Sequence, residues 1–281
     1  MNIVLILQTL IMGIVQGITE WLPISSTGHM ILFDEFMKME VSPEFMETFL
    51  VVIQFGSILA VLLLYFNKLN PFVRKSERNS CECLGNTCIK KETFNLYLKV
   101  LVAVLPAAVI GLLFDDWLDE HFYNSYTVSV TLIVYGIAFI VVEGRKRTSK
   151  IETLEDLNYK TAFLIGVFQL LALIPGTSRS GSTIIGATLL GCSRNTSAEF
   201  SFFLAIPVML GASALKLLKS GMDFTTNEWI VLILGMVTAF LVSVAAIKFL
   251  VGYIRKHDFK GFGYYRIVLG ILIIIYFFVI K

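Results

Sequence analysis

Residues 162–190 read AFLIGVFQLLALIPGTSRSGSTIIGATLL, an apolar run broken at its middle by Pro175, Gly176, Thr177, Ser178, Arg179, Ser180 and Gly181. The run is long enough to cross a bilayer, which takes about 20 apolar residues. A plain crossing cannot carry this interruption. Proline removes a backbone donor, and polar chain at membrane depth survives only when it is buried in protein or lines a wet cavity. The spacing therefore predicts a re-entrant hairpin. Residues 2–32 share the pattern, with Pro23 and Ser25-Ser26-Thr27-Gly28-His29 interrupting an apolar stretch, and are read the same way.

The rest of the chain agrees with a membrane setting. Its 281 residues are 56% hydrophobic and only 16% charged, with a mean hydropathy of +0.78, far too apolar for a soluble globular domain. Uninterrupted runs at 46–66, 96–114, 127–143, 198–218, 228–250 and 264–280 each have spanning length. The opening MNIVLILQTL has no basic leader or small-residue cleavage site, and Gln8, Gln16 and Glu20 punctuate its apolar run, so it is expected to belong to the fold. A net charge of +2, spread over loops, argues against a nucleic-acid partner. Cys81-x-Cys83-x4-Cys88 matches no standard zinc spacing, and no metal is expected there.

Loop charges set the expected topology, because Lys and Arg near helix ends favour the cytoplasmic side. Loop 67–95 carries Lys68, Arg74, Lys75, Arg78, Lys90 and Lys91, and loop 144–161 carries Arg145, Lys146, Arg147, Lys150 and Lys160. Both read as cytoplasmic, whereas Asp115, Asp116, Asp119 and Glu120 suit the outer side. If 162–190 crossed fully, the basic loop 251–263, with Arg255, Lys256 and Lys260, would be forced outside. A hairpin keeps it inside.

The two broken segments also resemble each other. Gly13-Ile14-Val15-Gln16 recurs as Gly166-Val167-Phe168-Gln169, and Pro23-x-Ser25-Ser26 as Pro175-x-Thr177-Ser178, at an offset of about 153 residues. The expected fold is an all-α polytopic membrane protein with an inverted repeat. Residues 1–145 and 146–281 each contribute one re-entrant hairpin and three crossings, an odd number that inverts the second half. Such repeats bring helix N-termini, with free N–H groups and positive dipole ends, to a site near the midplane. That geometry suits a phosphate.

Several side chains in the hairpins carry chemistry. Gln16 and Glu20 share one helix face, and a carboxylate at membrane depth needs a partner, in a neighbouring helix or in a site. The hydroxyls of Ser25, Ser26 and Thr27 are natural N-caps for a short helix over 28–36, and His29 stands three residues after Ser26, where imidazole and hydroxyl could meet. Arg179 offers a planar fork for phosphate among small residues that admit a ligand to the backbone. Its alternative partner is Glu20; a diphosphate between the hairpins would instead leave Glu20 to hold a divalent cation or a proton. Gln54, Glu199 and the acidic group at 115–120 are weaker candidates.

Gln16-x-x-x-Glu20, Ser25-Ser26-Thr27-Gly28-His29 and Pro175-Gly176-Thr177-Ser178-Arg179-Ser180-Gly181-x-Thr183 together resemble the undecaprenyl-diphosphate phosphatases, also called bacitracin-resistance proteins. Similar text around residues 49–60 and 198–207 extends the likeness over nearly the whole chain. The family often has Glu where Gln16 stands, so a pair of carboxylates is not required here. The resemblance implies hydrolysis of undecaprenyl diphosphate to undecaprenyl phosphate and inorganic phosphate in the bacterial plasma membrane, with magnesium or calcium as cofactor. It also implies recycling of the cell-wall carrier lipid and tolerance of bacitracin, which sequesters the substrate. The expected catalytic residues are Glu20, Ser26, His29 and Arg179, with Glu20 also the metal ligand. Gln16, Ser25, Thr27, Gly176, Thr177, Ser178, Ser180 and Thr183 are expected to bind the polyisoprenyl diphosphate. Ser26 or His29 is the nucleophile. Type-2 phosphatidic-acid phosphatases run the same reaction with a histidine six residues after an arginine; here that position is Ile185. A polyisoprenyl-phosphate flippase or secondary transporter is the rival reading, since inverted repeats suit both. The site is expected to face the outer side, and a homodimer is compatible with the sequence.

Overall fold

The computed structural model describes residues 2–72, 81–84, 87–145, 148–220 and 224–280. Arg74, Lys75, Arg78, Lys146 and Arg147 lie outside these. The side chains of Asp34, Asp115, Asp116, Asp119 and of the cysteine loop Cys81, Cys83 and Cys88 are likewise not among those described. Among the described residues the secondary structure is helical apart from one short antiparallel pair, β1 (Cys81–Leu84) and β2 (Thr87–Lys90).

Helices α3 (Pro43–Leu64), α5 (Lys91–Phe122), α6 (Ser125–Gly144), α9 (Arg194–Ser220), α10 (Thr226–Ile254) and α11 (Lys260–Ile275) contain six segments long and apolar enough to cross a membrane. They coincide with the six runs read from the sequence, starting two to five residues earlier because polar caps and first turns precede the apolar text. Ser42 caps α3 by accepting from the Phe45 N–H, with Pro43 at the first helical position, where its missing donor is harmless. Thr225 and Glu228 form a capping box on α10. The chain is a multi-pass membrane protein.

The broken segments fold as helix–turn–helix pairs. The first is α1 (Ile3–Thr19) with α2 (Ser26–Phe36); the second is α7 (Tyr159–Gln169), a 3-10 turn over Leu170–Leu173, and α8 (Arg179–Leu189). Helices α7 and α8, at 11 residues each, are about 16 Å long, roughly half the hydrocarbon thickness. A one-turn α4 (Phe66–Leu69) follows α3.

Several contacts between elements come in exchangeable pairs. Helix α1 lies along α10 and α7 along α5; α3 packs on α10 and α9 on α5; α11 touches α2 and α6 touches α8. Two further pairings, α3 with α9 and α6 with α11, join each helix to its own counterpart in the other half. Swapping the halves leaves these pairings unchanged, whereas the contacts of α8 with α9, α2 with α6 and α1 with α3 have no counterpart of like extent. Lipid tails are as apolar as leucine, so helix association depends on close packing and interhelical hydrogen bonds rather than on escape from water. At the α6–α11 crossing, a Cβ on Gly136 would sit 2.7 Å from the Gly263 carbonyl oxygen, and one on Gly263 2.7 Å from that of Gly136. Only glycine lets these backbones approach so closely. Ser243 adds a bond to the Gly17 carbonyl at 3.3 Å, and Ser213 one to Val51 at 3.2 Å. Trp21, fully buried, meets Phe202 edge-on at 5.4 Å and anchors the first hairpin in the central core.

Candidate active site between the two hairpins

Each hairpin turns through a serine in an unusual backbone conformation. Ser25 (φ 73°) caps α2 by accepting from the Gly28 N–H at 3.3 Å, and Ser178 (φ 71°) caps α8 by accepting from the Gly181 N–H at 3.2 Å. Positive φ costs a non-glycine residue about 1–3 kcal/mol and persists only where the surroundings enforce it. Ser25 and Ser178 stand 153 residues apart, as do Gln16 and Gln169. The prolines are one residue out of that register, so the alignment of Pro23-x-Ser25-Ser26 with Pro175-x-Thr177-Ser178 is corrected. Ser25 matches Ser178, and Ser26 matches Arg179, because the cap rather than the proline sets the start of each helix.

What enforces the turns is Arg266, fully buried on α11. Its guanidinium donates to the Pro23 carbonyl at 3.2 Å and to the Gly176 and Thr177 carbonyls at 2.9 and 2.8 Å, tying both tips together, and lies 5.7 Å from the Tyr135 ring centre. Gly176 (φ +86°) could carry no side chain, since a Cβ would overlap Thr131 and the Val128 carbonyl. The sequence reading passed over Arg266 as part of a crossing. Its signal was there, one arginine inside the run 264–280, costly in a membrane unless something needs it.

Between the tips lies a cavity of about 210 Å³ whose wall includes Glu20, Ser26 and Thr27 from the first hairpin and Gly176, Ser178, Arg179 and Ser180 from the second. The first turns of both α2 and α8 thus face it, with the unpaired N–H groups and positive dipole ends that favour an anion. Thr19, Gln54 and Gln169 complete its polar lining.

Glu20 is the centre of the polar contacts. One carboxylate oxygen accepts from Arg179 Nη2 at 2.9 Å; the other accepts from Gln16 Nε2 at 3.0 Å and from the Ser26 hydroxyl at 3.4 Å. The alternative pairing of Arg179 with Glu20 is therefore the one formed. Arg179 also donates from Nη1 to the Ser201 carbonyl at 2.8 Å, and its Nε, buried, has no partner among the described residues. A guanidinium carries five N–H groups, so Arg179 can keep Glu20 and still present donors to a phosphoryl group.

Ser26 and His29 are not brought together. His29 Nδ1 lies 2.7 Å from the Ser25 carbonyl and Nε2 2.6 Å from the Tyr265 hydroxyl, whose ring stacks on the imidazole at 5.6 Å. A carbonyl only accepts, so Nδ1 carries the hydrogen. Both ring nitrogens are engaged, and the helix begins at Ser26 rather than at 28, which turns His29 toward α11. Gln16, Ser25, His29, Thr177 and Thr183 do not line the cavity. Ser25 is a cap, Thr177 offers its carbonyl to Arg266, and Thr183 holds Ser201 at 2.7 Å and the Arg179 carbonyl at 2.9 Å. Glu199 is bound by Lys68 at 2.8 Å, also off the cavity.

Among the described residues no group of three or more His, Cys, Asp or Glu could by itself hold a metal ion. The donor set leaves room for a hard divalent cation that keeps water and takes phosphate oxygens together with one or two carboxylates. Glu20, with Ser26 beside it, would be the protein's share.

A multi-pass helical membrane protein with a hydroxyl, a carboxylate and an arginine meeting at two helix N-termini defines a class suited to a phosphorylated ligand within the bilayer. The family profile described as Bacitracin resistance protein BacA matches residues 9–272. A protein of Clostridioides difficile named Undecaprenyl-diphosphatase 1 is 60% identical over 275 residues, covering 98% of this chain and 97% of its own. The Undecaprenyl-diphosphatase of Acetivibrio thermocellus is 57% identical over 278 residues, 98% of this chain and 99% of its own. That of Enterococcus faecalis is 58% identical over 272 residues, 96% of each. The chain belongs to the bacitracin resistance protein BacA family.

Proposed function

We propose that this protein hydrolyses undecaprenyl diphosphate to undecaprenyl phosphate and inorganic phosphate, as the names of its relatives say of them, and that the cavity between the hairpins is where it does so. The observation that carries the reading is the meeting of Ser26, Glu20 and Arg179 at one cavity wall. In the step this geometry favours, Ser26 Oγ attacks the terminal phosphorus in line, and its proton passes to Glu20. The bond from that phosphorus to the bridging oxygen breaks, and undecaprenyl phosphate leaves. Glu20 hands that proton to the departing undecaprenyl phosphate and then takes one from the water that attacks the phosphoserine. The bond from phosphorus to Ser26 Oγ breaks, Glu20 returns the proton to Oγ, and inorganic phosphate is released. Arg179 stabilises the charge on the phosphoryl oxygens. His29 and Arg266 hold the tips rather than react. Magnesium or calcium, bound by the diphosphate and Glu20, would neutralise oxyanion charge.

Phosphate release from a polyisoprenyl diphosphate by purified, detergent-solubilised protein tests the reading. Hydrolysis needs no second compartment, so a protein that moves lipid between leaflets of vesicles but releases no phosphate in detergent would be the flippase or transporter instead. Glu20→Gln keeps the side chain's shape, and an amide is a poorer ligand for a hard cation. The variant is expected to lose the response of turnover to added magnesium or calcium. An unchanged metal titration would move the cation away from Glu20.

We further place the halves as inverted repeats in the bacterial plasma membrane, each with a re-entrant hairpin, and the first hairpin open to the outer face. The acidic run Asp34, Glu35, Glu40, Glu44 and Glu47, from the end of α2 into the first turns of α3, is poor in Lys and Arg, and α3 leads to the basic loop 67–95. Ser42 is exposed there. Cys192 is buried, and burial pushes its thiol up to about 11, so it stays unreactive. A Ser42→Cys variant should react with a membrane-impermeant thiol reagent on intact cells, whereas native Cys81, Cys83 and Cys88 should react only after permeabilisation. The opposite pattern reverses the topology.

A further inference from the structure

The two hairpins are alike in their turns and unlike in how their glutamines are satisfied. Gln16 donates to Glu20, four residues further along α1, at 3.0 Å. Gln169 holds the corresponding place at the end of α7, but the residue four further on is Leu173. Gln169 is 2% exposed, and both its amide nitrogen and its amide oxygen have no hydrogen-bond partner among the described residues. Leaving both ends of a buried amide unmade is costly, and such groups in native proteins call for a partner. Gln169 lines the same cavity as Glu20, Ser26 and Arg179.

We propose that Gln169 is a substrate-binding residue. Its amide nitrogen donates to an oxygen of the lipid diphosphate, and its amide oxygen accepts from a water held at that anion. The inference rests on the phosphatase reading of the cavity and deepens it. The second hairpin then contributes two contacts, the charged fork of Arg179 and a neutral amide from the opposite arm of the turn. Where the first repeat spends its amide on holding Glu20 in place, the second leaves the equivalent amide for the ligand.

Gln169→Met keeps the length of the side chain and removes both hydrogen-bonding ends. Two measurements are made on the purified full chain in detergent. One is KM and kcat for phosphate release from a polyisoprenyl diphosphate. The other is the shift in thermal unfolding on adding a polyisoprenyl methylenediphosphonate, whose P–C–P bridge is not cleaved. Without ligand the Met variant should unfold at or above the wild-type temperature, because an unpaired buried amide has been replaced by an apolar group. With substrate its KM should rise tenfold or more, with a smaller change in kcat, and the ligand shift should largely vanish. Gln169→Glu, which places a carboxylate against the anion, should lose affinity further, and it carries the same test should the Met variant not fold. Wild-type KM together with a wild-type ligand shift in either variant would overturn the proposal. The shift reports binding alone, so a wild-type protein that binds the diphosphonate yet releases no phosphate sinks the phosphatase reading while the Gln169 contact is still measured. A wild-type protein with no shift sinks both.

Discussion

Ser26→Ala should lower turnover by roughly 10³- to 10⁶-fold, the range over which hydrolases lose rate when their nucleophile is removed, while leaving the hairpin folded. The stability expectation follows from which serine does what. Ser25 caps α2 and sits at positive φ, whereas the Ser26 hydroxyl makes only a long 3.4 Å contact to Glu20. Removing that hydroxyl leaves the Glu20 oxygen still bound by Gln16. Quenching the wild-type protein during turnover of substrate labelled at the terminal phosphate should trap a phosphoenzyme that survives acid, as phosphoserine does and phosphohistidine does not. Acid-labile label would hand the nucleophile's role to His29, and near-normal turnover in Ser26→Ala would hand it to water.

Arg179→Lys is expected to cost roughly 10²- to 10³-fold in kcat, equivalent to about 2.7–4 kcal/mol of transition-state stabilisation. Lysine is the informative substitution because alanine would strand Glu20 as an unpaired buried charge, which destabilises the fold whatever the mechanism. An ammonium can replace the bond to Glu20, now made at 2.9 Å by Nη2. It cannot also reach the Ser201 carbonyl and offer further donors in a fixed plane, since it is a point charge on a flexible stem. The defect should therefore fall on kcat in a protein whose unfolding temperature is close to wild type. Full activity in the Lys variant would reduce Arg179 to a counter-ion of Glu20.

Both substitutions were open to design from the sequence, but their interpretation was not. Proline and polar residues inside an apolar run are local signals, so both hairpins and the six crossings could be read to within a few residues. The role of His29 could not. Spacing on an ideal helix set it beside Ser26, yet the helix starts at Ser26 and its fourth residue faces Tyr265, which lies 236 positions away. Gln169 and Arg266 escaped for a related reason. A buried amide or arginine is conspicuous only once the atoms around it are known.

The amino-acid sequence by itself determined that this protein lives in a bilayer, that two of its apolar segments are interrupted midway, and that a carboxylate, a hydroxyl and an arginine lie at those interruptions. These follow from composition and order along the chain, because the bilayer tests each segment for length and polarity independently of the others. Only the tertiary structure decided the partners. Glu20 meets Arg179 across 159 residues, Arg266 joins Pro23 to Gly176 and Thr177, and Gln169 is left without the carboxylate its counterpart enjoys. Such pairings depend on which helices pack side by side, and that choice rests on many weak contacts between residues far apart in sequence, none of which announces its partner.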